Sequence, residues 1–172
     1  MNITIRHEAK SDYDAITYVN DMAFGRANES ELIKKLRATK LFIPELSLIA
    51  EVGGKLVGHI LFYPIKIESK NKTHSPLALA PMSVLPEYQK KGIGGKLIKV
   101  GLKKAKDLDF RSVIVLGHAD YYPKFEFKPA SKWGIYSDFD VPDEVFMALE
   151  LTGGALMNAD GRVIYPKAYL ET

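Results

Sequence analysis

LALAPMSVLPEYQKKGIGGKLIKVGLKKAKDLDFRSVIVLG, residues Leu77 to Gly117, runs from an apolar segment through a glycine-rich loop to a lysine-studded amphipathic segment and a second apolar run. That order spells strand, loop, helix, strand. The loop itself reads Gln89-Lys90-Lys91-Gly92-Ile93-Gly94-Gly95-Lys96. Residues without Cβ let successive backbone N–H groups turn toward one point, and a helix N-terminus just behind them adds positive potential. Such a loop suits an anion, above all a phosphate or pyrophosphate.

Two common phosphate loops are excluded by position. A Walker A loop needs a glycine five residues before its Gly-Lys pair and a Ser or Thr after it, where this chain has Lys90 and Leu97. A dinucleotide fingerprint needs a third small residue where Leu97 stands, and an acid about 20 residues on, where Val115-Leu116-Gly117 follows instead. ATP and NAD by those routes are disfavoured. What remains is Gln-x-x-Gly-x-Gly (Gln89, Gly92, Gly94) preceded by Val84-Leu85-Pro86-Glu87, and this resembles the acetyl-coenzyme A loop of the GNAT acyltransferases.

The resemblance implies that the loop from Gln89 through Lys90, Lys91, Gly92, Ile93, Gly94 and Gly95 to Lys96 holds the pyrophosphate of acetyl-CoA. It also implies that Met82 and Val84, on the preceding strand, offer backbone groups to the pantetheine arm and the thioester carbonyl. Acetyl-CoA would be a cosubstrate, and an acceptor amine would attack it directly. No protein nucleophile is then needed, so a chain with no cysteine loses nothing.

Behind the loop, Leu97, Ile98, Gly101, Leu102, Ala105 and Leu108 recur at helical spacing, while Lys96, Lys99, Lys103, Lys104 and Lys106 fall mostly elsewhere. One face is expected to pack on a sheet. Gly101 on that face costs about 1 kcal/mol of helix propensity relative to Ala, which close approach to the sheet or the cofactor would compensate. Of the lysines, only Lys90, Lys91 and Lys96 stand near enough to assist phosphates.

The chain has 172 residues, 47% of them hydrophobic, which fits one domain with a real core. The net charge of +3 comes from 24 bases and 21 acids without a basic block, so no nucleic-acid partner is expected. The absence of cysteine excludes disulfides, a thiol nucleophile and cysteine-ligated metal. No N-terminal apolar stretch reads as a signal or a membrane span, so a cytoplasmic protein with no membrane partner is expected.

In chain order, Met1 to Glu8 alternates as a short strand. Ser11 with Asp14 predicts a capped helix near 12 to 24, and Asn28 with Glu31 predicts a second helix ending before Pro44. Leu46 to Val52 and Leu56 to Tyr63 around Gly53-Gly54-Lys55 predict an antiparallel hairpin. Ile65 to Glu68 is expected to extend the second of these strands past a bulge, and Ser69 to Pro76 to form a polar turn. Further strands are expected at Val145 to Leu151 and Arg162 to Tyr165.

The segment His118 to Phe127 reads as a short helix running into a strand. Its Tyr122-to-Phe127 spacing is similar to the GNAT segment that supplies a tyrosine near the cofactor sulfur. The resemblance therefore makes Tyr122 the candidate acid for the leaving thiolate and the backbone N–H near Met82 the candidate oxyanion donor. Tyr121 is expected to be a core neighbour. Many relatives carry Gly before that Phe, where this chain has Glu126, which weakens the expected turn. A base for the amine is sought among Glu87, His59, His118 and Glu45; His59 reads first as a packed strand histidine, His74 as solvated, and His7 as remote. No histidine spacing suggests a metal.

The tail, Gly154 to Leu156 and Gly161 to Pro166, resembles the YhbS-like branch of the family. The whole chain, 1–172, thus reads as one GNAT domain: a mixed α/β fold with a twisted, mostly antiparallel sheet flanked by helices and splayed at its central strand. The resemblance implies that the helical pair borders the site of an amine acceptor, small molecule or peptide. An edge strand near the C-terminus is expected to allow pairing into a homodimer.

Overall fold

The main sheet is built outward from one tight hairpin and one splayed parallel crossing. The computed structural model describes residues 1–70 and 72–171 and contains strands β1 (Ile3–His7), β2 (Ser47–Val52), β3 (Lys55–Pro64), β4 (Lys66–Ser69), β5 (Lys72–His74), β6 (Leu77–Val84), β7 (Ser112–Leu116), β8 (Lys128–Pro129), β9 (Ile135–Tyr136), β10 (Phe146–Glu150) and β11 (Gly161–Ile164). The α-helices are α1 (Tyr13–Phe24), α2 (Asn28–Arg37), α3 (Ile93–Asp107) and the short α4 (Lys167–Leu170). A seven-stranded sheet has the order β1-β2-β3-β6-β7-β10-β8, in which only β6 and β7 run parallel.

The two faces of β3 separate the helices. Even-numbered Gly58 and Phe62 meet α3, where Leu97 and Ile93 crowd Gly58 and Gly101 lies against the ring of Phe62. Odd-numbered Leu61 and Tyr63 join Ile49 and the apolar residues of α1 and α2, Ile16, Ile33 and Leu36. A Cβ at Gly101 would stand 2.2 Å from Phe62 Cε1, so it is approach to the sheet that compensates this glycine. Gly101→Ala is expected to destabilise the protein by about 2 kcal/mol through overpacking, although alanine recovers about 1 kcal/mol of helix propensity. A urea titration of the two proteins checks this; a variant as stable as the parent would remove the steric account.

Two features open the sheet at its centre. Residues Ala80 and Pro81 form a bulge in β6 between the pairs Leu79 with Phe62 and Met82 with Ile60. Beyond it, β6 has no β7 partner, because the parallel pairing is confined to Leu77 with Val113 and Ala78 with Ile114. The strands diverge from that point, and the expected splay is present. A bulge also re-aims the backbone locally.

Several local expectations are corrected. Ile65 to Glu68 does not extend β3: the strand stops at Pro64, Ile65 N–H donates to the Pro76 carbonyl at 3.0 Å, and β4 leaves to form a second sheet of order β5-β4-β11-β9. Proline cannot donate to a ladder, so the strand breaks there. The polar segment 69–76 carries β5 rather than only a turn, and its Asn71 lies outside the described residues. Neither capping box forms. Asp12 rather than Ser11 closes the approach to α1, accepting from Ala9 N–H at 2.7 Å, and Ser30 bonds Asp21 and the Ala27 carbonyl instead of Asn28 engaging Glu31.

Candidate active site

The loop after β6 takes its shape from two left-handed residues. Lys90 (φ 61°) and Gly92 (φ 84°) bracket Lys91, and Gly92 caps the N-terminus of α3. Alternation of this kind turns N–H groups inward to make an anion-binding concavity, here at the positive end of a 15-residue helix. Gln89 braces the loop from behind: its Nε2 donates to the Val84 carbonyl at 3.0 Å. One of the polar groups expected to face the pantetheine is therefore already engaged.

Two cavities meet across β6. The smaller, about 480 Å³, lies between the end of α1 (Ala23, Phe24), Met82 to Val84 and the loop residues Gly92, Ile93, Gly94 and Gly95. The larger, about 810 Å³, lies between β6, β7, the Arg26 to Leu32 region and the aromatic residues Phe139, Tyr165 and Tyr169. Met82, His118 and Tyr121 border both. The smaller depends on missing side chains: a Cβ at Gly94 would sit 3.1 Å from the Tyr121 hydroxyl and 3.5 Å from Met82 Cε. A chain with two arms of different chemistry can thus lie on either side of Met82.

The lysines divide differently from expectation. Lys90 lines both cavities. Lys91 lies 5.8 Å from the Tyr88 ring centroid, sharing that ring with Lys55. Lys96 points elsewhere, donating to the Ile3 carbonyl at 2.8 Å and so tying α3 to β1.

The two adjacent tyrosines differ in depth. Tyr121, the expected core neighbour, packs half-buried against the main core and also lines both cavities; Tyr122 is 8% exposed, belongs to the main core and reaches only the larger cavity. Their rings pack edge to face at 5.2 Å, and Tyr122 packs likewise on Phe127. A Cβ at Gly117 would stand 2.3 Å from the Tyr122 ring, so that glycine makes room for it. Burial, with a smaller contribution from Tyr121, pushes the Tyr122 phenol up to about 12. It therefore stays protonated and available as a donor. Glu126 adopts the left-handed conformation (φ 73°) that glycine takes more easily, and the turn still closes, with Glu126 N–H on the Pro123 carbonyl at 3.0 Å. The strain costs about 1 kcal/mol.

Among the candidate bases, Glu45 and Glu87 are exposed and line neither cavity, Glu87 standing 3.8 Å from Lys55. His118 is exposed on the border of both cavities. His59 is fully buried on the α1 face and belongs to a polar chain. Arg37 grips Glu8 through two bonds of 2.9 Å, Ser47 donates to Glu8, and His59 Nε2 lies 2.9 Å from Ser47 Oγ. Because the single hydroxyl proton goes to Glu8, Nε2–H donates to Ser47 and Nδ1 is left unprotonated and unpartnered. Burial, then the Arg37 charge, lowers the His59 pKa to about 3.

A folded-state value below the ordinary 6.5 means that the unfolded chain binds this proton first. Stability from neutral His59 is thus complete above pH 6.5 and declines as pH falls from there toward 3. Between pH 7.5 and 5 the loss is expected to be about 2 kcal/mol, read as a urea midpoint that falls in the parent and falls less in His59→Gln. Equal pH dependence in both proteins would contradict it.

Among the described residues no group of His, Asp or Glu is arranged to hold a metal ion, and no helix is long and apolar enough to cross a membrane.

A bulged central strand diverging from its parallel neighbour, followed by an anion loop at a helix N-terminus, defines an acyl-CoA-type transferase fold, and residues 13–127 match the acetyltransferase (GNAT) family model. The chain belongs to the GNAT acetyltransferase family. It is similar to the uncharacterized N-acetyltransferase YjhQ of Escherichia coli K12, with 41% identity over 138 residues covering 78% of this chain and 75% of that one. A GNAT acetyltransferase from Brucella melitensis, solved with acetyl-CoA, is 34% identical with a TM-score of 0.78, covering 98% of each chain. YhbS from E. coli, solved with CoA, shares the fold at a TM-score of 0.90 and 23% identity, covering 99% of this chain and 93% of that one.

The sequence reading missed Phe24, Arg26, Glu29, Phe139, Tyr165 and Tyr169, which line the larger cavity. Tyr165 stands within the Gly161 to Pro166 pattern, which gave it no role, and the others belong to no local motif. The β4–β11 pairing, between segments far apart in sequence, helps carry the two C-terminal tyrosines to the central strand.

Proposed function

We propose that the protein, with residues 1–172 acting as one domain, transfers an acetyl group from acetyl-CoA to a primary amine by direct attack within a ternary complex. The observation that carries this reading is the meeting of two cavities at Met82 and Tyr121, one against the anion loop and one against an apolar wall. The B. melitensis relative solved with acetyl-CoA supports the choice of donor.

In this reading the backbone N–H groups of Lys91 to Gly95 and the Lys90 ammonium hold the pyrophosphate, while Met82 and Val84 align the pantetheine arm. The Met82 backbone N–H faces the thioester oxygen as charge develops there. Tyr122 donates its proton or a hydrogen bond to the departing thiolate. Much of the rate comes from positioning. Lys96, engaged with Ile3, has no part in phosphate binding, and Gln89 acts by bracing the loop. His118, at the border of both cavities, is the group best placed to receive the amine proton through water; His59, with a pKa near 3, is too weak a base.

Thiol release measured beside mass spectrometry of an amine panel tests the reading. Free CoA should appear in equal amount with acetylated amine. Tight binding of acetyl-CoA with no amine acetylated would instead mark an acyl-CoA sensor without turnover.

A further inference from the structure

The larger cavity has a one-sided chemistry. Phe139 and Tyr165 pack at 5.2 Å between ring centroids and Tyr165 and Tyr169 at 5.7 Å, making an aromatic wall that the buried Tyr63 backs at 6.1 Å from Tyr169. The wall is fixed to the reaction centre, because the Tyr169 hydroxyl donates at 2.9 Å to the carbonyl of Ala80, two residues before Met82. The floor opposite is apolar, from Ala78, Leu79 and Ile114.

Charge in the cavity is sparse and already engaged. Among the described residues that line it, Glu29 is the sole carboxylate, and Arg26 holds it with two hydrogen bonds, Nε to Oε1 at 3.0 Å among them. With Arg26 paired to Glu29 and Lys90 assigned to the pyrophosphate, the described lining offers a ligand neither a free anion nor a free cation. A ligand bearing a second ammonium or a carboxylate would lose its water there and find no free counter-charge. A single amine on an apolar body has one charge to place: ring faces attract it while charged, and it attacks as the neutral base.

We propose that this cavity accepts a primary amine carrying one positive charge on an apolar body of about the size of an aromatic ring, and excludes polyamines and other polycations. The inference rests on the proposed acetyl transfer for its catalytic meaning, but the selectivity belongs to the cavity and is read by binding alone.

The test is equilibrium binding of phenethylamine, spermidine and L-phenylalanine to the full chain with CoA present. Phenethylamine is expected to bind at least ten-fold more tightly than either of the others, and Tyr165→Ala to weaken it about ten-fold. Arg26→Ala, at a side chain 58% exposed, frees Glu29 and is expected to raise spermidine affinity at least ten-fold, a gain that misfolding cannot produce. Equal or tighter binding of spermidine or L-phenylalanine by the parent, or no gain in Arg26→Ala, would overturn the inference. Acetyl-CoA affinity measured on the same samples keeps the two readings apart: its absence refutes the transferase reading, whereas the ranking of the amines tests the cavity whether or not turnover occurs.

Discussion

Tyr122→Phe is expected to lower kcat about 100-fold, the usual scale for losing a positioned proton donor, with acetyl-CoA affinity and stability little changed. The ring does the packing, against Gly117, Tyr121 and Phe127, and phenylalanine keeps the ring. Only the hydroxyl of this cavity-lining residue is removed. Because burial pushes this phenol up to about 12, its deprotonation sets no limit on the parent's activity through pH 9. Tyr121→Phe supplies the comparison, since Tyr121 borders both cavities. A loss confined to Tyr121→Phe would transfer the role to the neighbour, and full activity in both variants would remove a tyrosine acid from the mechanism.

Arg37→Ala should produce the largest loss of stability, about 3 to 5 kcal/mol. Its guanidinium lies 3.8 Å above the Tyr13 ring and grips Glu8, whose side chain is 2% exposed. Removing the cation strands a buried carboxylate that Ser47 alone still engages. Since this ion pair joins α2 to the β1 side of the sheet, α1 and its neighbours at the cavities should loosen as well. Denaturant titration of Arg37→Ala and of the double variant Glu8→Gln, Arg37→Met separates charge from packing. Recovery of most of the loss in the double variant is expected; a single variant within about 1 kcal/mol of the parent would mean that the pair is solvated.

The central unit was legible because its signals are local. An apolar run, Gly92, Gly94 and Gly95, and helical spacing from Leu97 onward each constrain neighbouring residues, and β6, the loop and α3 follow from them. The loop to which the cofactor is assigned was legible for the same reason. Orientation was harder to read. Whether Tyr121 or Tyr122 faces the core depends on the phase of one short turn, and whether Lys96 serves a phosphate depends on the carbonyl of Ile3, remote in sequence. The acceptor side was legible only as the helical pair that borders the larger cavity: Tyr165 and Tyr169 come to it by way of the second sheet, and nothing around Pro64 announces that β4 leaves the first. Glu126 shows the converse, a residue ill suited to a turn that tertiary packing nevertheless imposes.

Calorimetric titration of the purified protein with acetyl-CoA, beside ATP and NAD at the same salt, tests the central claim most directly. Saturable binding of acetyl-CoA alone, abolished in Gly94→Val where the added side chain fills the space beside Tyr121 and Met82, is the expected result. No heat with acetyl-CoA, or preference for ATP or NAD, would contradict the assignment of the loop.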